Sequence, residues 1–82
     1  MRLKLRRVSP GLRPNEVVAV IKTIDGDETV VIHKKAIDDR NTISVGYPIR
    51  ERYGKFLVEL PRETLKGSWR VWVYESEVED RP

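Results

Sequence analysis

The chain contains no cysteine and only one histidine, His33. Disulfides and thiolate chemistry are therefore excluded, and so is a structural zinc site, which needs three or four nitrogen and sulfur ligands. Any core must hold without covalent staples. The longest uninterrupted apolar stretch is Val17 to Ile21, far short of the ~20 residues with which a helix crosses a bilayer. The basic start Met1-Arg2-Leu3-Lys4-Leu5-Arg6-Arg7 is not followed by the apolar segment and small-residue cleavage site of a secretory leader, so a cytoplasmic location is the expectation.

Catalytic equipment is equally sparse. Ser9, Ser44, Ser68 and Ser76 offer hydroxyls, but none stands in a nucleophile elbow, and His33 alone could serve as a histidine base. No Gly-x-Gly-x-x-Gly or phosphate-binding loop occurs. Asp25-Gly26-Asp27-Glu28 lacks the later ligands of a calcium loop, and Asp38-Asp39 reads as a solvated turn. The expectation is a non-catalytic chain with no cofactor and no bound metal.

What is present is a globular, salt-rich composition. Of 82 residues, 39% are hydrophobic and 35% charged, which suits one small domain spanning residues 1–82. Helical periodicity is missing and period-two alternation takes its place. Leu3 and Leu5 alternate with Lys4 and Arg6 as in a strand with one wet face. Ser9 to Asn15 carries two prolines and a glycine and reads as a loop. Glu16 to Ile24 places apolar residues on both faces, as a central, doubly covered strand requires. Asp25-Gly26-Asp27 then marks a tight hairpin into Thr29 to Lys35.

Further along, Ile43, Val45, Tyr47 and Ile49 alternate with smaller or polar residues, and Pro48 and Gly46 place an irregularity or an edge there. Arg50 to Gly54 reads as a turn into the strand Lys55 to Leu60. Pro61 to Gly67 has a proline fit for a first helical position and a glycine fit for a C-cap, predicting one short helical turn. Ser68 to Tyr74 is the last strand, with Trp69, Val71 and Val73 on one face and Arg70, Trp72 and Tyr74 on the other. Residues 75–82 form an acidic tail expected to fray. Five to six short strands cannot leave a flat sheet bare on both sides, so the predicted fold is mainly β, a small antiparallel barrel or rolled sheet.

The net charge of +3 is unevenly spread. Arg2, Lys4, Arg6, Arg7 and Arg13 occupy the first 14 residues without an acidic neighbour, whereas the last eight carry Glu75, Glu77, Glu79 and Asp80 against Arg81. Two readings compete: the basic segment contacts phosphate, or it pairs with the acidic tail when the first and last strands meet. A second basic group, Arg50, Arg52, Lys55 and Arg62, has Tyr47, Tyr53 and Phe56 interleaved, the composition of a surface for single-stranded nucleic acid. Finally, Trp72 and Tyr74 beside Arg70 would lie outside a core filled by the opposite face, where they would anchor a protein partner or a second copy of the chain. A binding module for protein is the leading expectation. Nucleic-acid binding through Arg2, Lys4, Arg6, Arg7, Arg50, Arg52, Tyr53 and Lys55 is its alternative.

Overall fold

The computed structural model describes residues 1–38 and 40–80. Nine strands are present among them: β1 (Arg2–Lys4), β2 (Arg7–Pro10), β3 (Glu16–Thr23), β4 (Gly26–His33), β5 (Thr42–Ser44), β6 (Arg50–Arg52), β7 (Lys55–Glu59), β8 (Arg70–Tyr74) and β9 (Val78–Glu79). The chain is mainly β, as its periodicity predicts. The strands form three antiparallel sheets of three, ordered β2-β3-β4, β6-β7-β8 and β5-β1-β9. No closed barrel forms among the described residues. Strands outnumber the expected five or six because β2 (Arg7–Pro10), β6 (Arg50–Arg52) and β9 (Val78–Glu79) form in or beside segments read as loop, turn and tail.

The β3–β4 hairpin is the longest pairing, running in register from Glu16 opposite His33 to Thr23 opposite Gly26. Ile24 and Asp25 form its two-residue loop, one position earlier than the Asp-Gly signal suggests, with Gly26 at φ 113° entering β4. Thr23 stabilises the loop, its hydroxyl donating to the Gly26 carbonyl at 2.8 Å and accepting from the Asp25 amide at 3.1 Å. On this hairpin Ala19, Ile21, Val30 and Ile32 share one buried face. They join Leu3, Ile43, Val45, Phe56, Val58, Leu60, Val71, Val73 and Val78 in one apolar cluster, each such side chain contributing about 1.5–3 kcal/mol on full burial. Val20, on the opposite face of β3, is also buried, so the middle of this strand is covered on both sides.

Several local expectations give way to tertiary pairing. Ser9 and Pro10 belong to β2, where Pro10 ends an edge strand opposite Val17 and its missing donor costs nothing to a central ladder. Pro61 to Gly67 forms no helix. Thr64 is buried and bridges to Val30, and the Leu65 amide donates to the Thr29 carbonyl at 2.9 Å. The segment thereby covers the free edge of β4, satisfying backbone groups that a single helical turn would leave orphaned. The two helical turns among the described residues are short 3-10 pieces elsewhere, Lys34–Ala36 and Glu75–Glu77.

Trp69 precedes β8 and is 50% exposed, so it does not join Val71 and Val73 in the core. Its carbonyl accepts from the Leu60 amide at 2.8 Å, the last rung before the chain leaves the sheet. Within the acidic tail β9 pairs with β1, and Val78 is buried. Residues 81–82 of that tail, and Asp39 of the predicted turn, lie outside the described residues.

Candidate nucleic-acid interface

The two basic groups picked out by composition meet different fates. In the N-terminal group, the Arg2 guanidinium pairs with the Asp38 carboxylate while its Nε donates to the Thr42 hydroxyl at 2.9 Å. Lys4 Nζ donates to the Ser76 carbonyl at 2.9 Å, and Arg6 lies 3.8 Å from Glu77. These contacts follow from β1 lying between β5 and β9, which sets Arg2 opposite Ser44 on one side and Glu79 on the other. An ion pair between basic segment and acidic tail is thus present at Arg6, while Lys4 meets the tail through a backbone carbonyl. Arg7, on the edge strand β2, is exposed and has no ion pair among the described residues.

Asp38 shows how firmly this region is tied. Partial desolvation works against its ionisation, but bonds from the Thr42 hydroxyl, the Thr42 and Arg40 amides and the charge of Arg2 outweigh it, lowering its pKa to about 2. The Arg40 and Thr42 amides each donate to Asp38 Oδ1 at 3.0 Å, and these hydrogen bonds close the loop that carries Asn41 at φ 57°.

The second basic group lies on β6 and β7, and the register of that sheet brings it together with the aromatic face of β8. Phe56, Val58, Val71 and Val73 point into the core, so strand alternation turns their neighbours outward. Directly opposite residues share a face, which gives three outward rows: Arg52, Lys55 and Tyr74; Arg50, Leu57 and Trp72; Glu59 and Arg70. Neighbouring strands lie ~4.8 Å apart and successive rows about 6.6–6.8 Å apart along the strands. One open face therefore carries Arg50, Arg52, Lys55, Arg70, Trp72 and Tyr74 with Glu59 as the carboxylate within its rows, and the Glu75 carboxylate lies beside Gly54 at the hairpin tip. None of its four basic side chains, Arg50, Arg52, Lys55 and Arg70, has an ion-pair partner among the described residues.

Within the face Trp72 and Leu57 are half-buried and adjacent, forming an apolar centre, and Tyr74 is 38% exposed. Tyr53 stands at the tip of the β6–β7 hairpin, 95% exposed. Other residues first grouped with these are elsewhere. Phe56 is a core residue, and Arg62 is held against β3 and β4 by Glu16 at 3.3 Å and by the Val31 carbonyl at 3.4 Å. Tyr47 is exposed on the segment between β5 and β6. His33 has a structural use, its Nδ1 accepting from the Lys35 amide at 3.1 Å to cap the first 3-10 turn. An open cavity of about 510 Å³ lies apart from this face, at the β2–β3 turn between Val8 and Val17.

Reading Arg50 to Gly54 wholly as a turn conceals the union of the two groups. The alternation Arg50-Glu51-Arg52, matching Arg70, Trp72 and Tyr74 two strands away, is the signal that would find it. Comparison of the chain with protein-family models, curated proteins and solved structures finds no match.

Proposed function

We propose that this chain is a non-catalytic module that binds nucleic acid through the outer face of the β6-β7-β8 sheet. The observation that carries the reading is the set of cross-strand rows that puts four unpaired cations and two aromatic rings on one surface with one carboxylate within those rows. Cations free of internal partners release counterions when they meet phosphate, a gain that internally paired cations make only after breaking a bond. Aromatic and aliphatic side chains between them supply apolar contact that a purely ionic patch lacks.

The same face is the one on which Arg70, Trp72 and Tyr74 would meet a protein. Its free edge argues against a second copy adding on as a strand. β6 is three residues long, follows closely on Pro48 and consists of Arg50, Glu51 and Arg52, all exposed, the kind of edge that resists strand-to-strand association.

Titration with labelled oligonucleotides at low and moderate salt tests the proposal. Four phosphate contacts give a log-affinity against log-salt slope of about −3 to −4. Replacing Arg50, Arg52, Lys55 and Arg70 together by alanine should flatten that slope, leaving residual binding weak. Binding that ignores salt, or that survives the replacement unchanged, would overturn the reading and leave a protein partner as the use of the face.

A further inference from the structure

The β6–β7 hairpin ends in a loop that its own sequence does not favour. Arg52 pairs with Lys55, so Tyr53 and Gly54 alone make the turn, with φ of 47° and 74°. Positive φ at both central positions is the geometry that Asn-Gly, Asp-Gly and Gly-Gly adopt readily, and a bulky ring in the left-handed region is an outlier. Packing does not compensate: Tyr53 is 95% exposed, and its hydroxyl has no hydrogen-bond partner among the described residues. Neither turn chemistry nor the core explains a tyrosine there. An unexplained strained residue at the rim of a binding surface is a pointer to use.

Its position supplies that use. Trp72 and Tyr74 lie in successive rows of the face, and the row of Tyr74 ends the hairpin just before Tyr53. Trp72 and Tyr74 thus follow one another along β8, and Tyr53 lies one row further on at the tip of the neighbouring β6–β7 hairpin, with Arg50, Arg52 and Lys55 on the two strands beside β8. The apolar pair of Leu57 and Trp72 at the centre has nothing to gain from the phosphate wall of a duplex, whose bases are stacked on one another. Groove readers insert a helix or a two-stranded ribbon; no α-helix is present among the described residues, and the β3–β4 and β6–β7 hairpins are each flanked by a third strand.

Resting on the nucleic-acid reading above, we infer that the ligand is a single strand. Its unpaired bases stack on Trp72, Tyr74 and Tyr53 in turn, its phosphates meet Arg50, Arg52 and Lys55, and Tyr53 is the platform at the tip.

The test compares a fluorescein-labelled oligothymidylate of about twelve nucleotides, within the span a small β surface covers, with a duplex of equal length at matched salt. The single strand should bind at least ten-fold more tightly. Tyr53→Asn keeps every charge and installs a residue that tolerates the left-handed region, so the melting temperature should hold or rise. Its single-strand affinity should fall about 5- to 150-fold, the loss of one base–aromatic stack. Equal affinity for the duplex, or an unchanged affinity of Tyr53→Asn alongside a loss in Arg52→Ala, would overturn the single-strand inference and leave the nucleic-acid reading standing. No salt-sensitive binding of either probe would remove both.

Discussion

The N-terminal strand and the β6–β7 hairpin carry similar densities of arginine and lysine, yet one spends its charge inside the fold and the other leaves it outside. Arg2, Lys4 and Arg6 are met by Asp38, the Ser76 carbonyl and Glu77 because β1 is flanked by strands on both sides. Arg50 and Arg52 lie on a strand with one neighbour, whose outward residues Lys55 and Leu57 offer no carboxylate. Position in the sheet, rather than composition, decides which basic residues are available to a ligand. A charge count alone cannot separate them.

The contrast is most severely tested at Leu3, the fully buried residue between Arg2 and Lys4. Leu3→Ala should cost about 2–5 kcal/mol of unfolding free energy in a urea titration. Arg50→Ala, at an exposed position, should change stability by less than about 0.5 kcal/mol, as exposed substitutions do. A comparable loss from both would erase the distinction between a structural and a free basic region.

Acid should act on the first region selectively. The folded pKa of Asp38, about 2, lies below its ordinary value of 3.8, so the folded chain favours the ionised form. Its stabilisation is fully present above the unfolded value, declines as pH falls below it and is lost as pH passes through the folded value. Urea midpoints between pH ~5 and pH ~2 should therefore fall, and fall less steeply in Asp38→Asn. Identical acid limbs in the two proteins would break the assignment. The smallest expected effect belongs to Arg6→Gln, which loses an ion pair of 3.8 Å at the surface. Up to about 1 kcal/mol is expected, shrinking in high salt.

How much of this is legible without coordinates depends on how far apart the partners are along the chain. The β3–β4 hairpin is readable because its β-branched runs and tight turn are neighbours, and the buried alternation of Val71 and Val73 is readable for the same reason. Pro61 to Gly67 misleads because proline and glycine signal a helix locally, while the edge of β4, more than thirty residues upstream at Val30, decides the outcome. Trp69 misleads because alternation does not say where a ladder stops. As for the site, Arg70, Trp72 and Tyr74 are recognisable as one outward set and Arg50, Arg52 and Lys55 as another. Their merging needs the pairings of Arg50 with Leu57 and of Leu57 with Trp72, a register that no single strand specifies.

The order of the β5-β1-β9 sheet has a consequence for how the molecule comes into being. Leu3 must find Ile43 on one flank and Val78 on the other. Both pairings bridge long stretches of chain, which makes this sheet the costliest of the three to close. The two hairpin sheets can assemble from consecutive stretches, which leaves β1 as the clasp whose closure completes the fold.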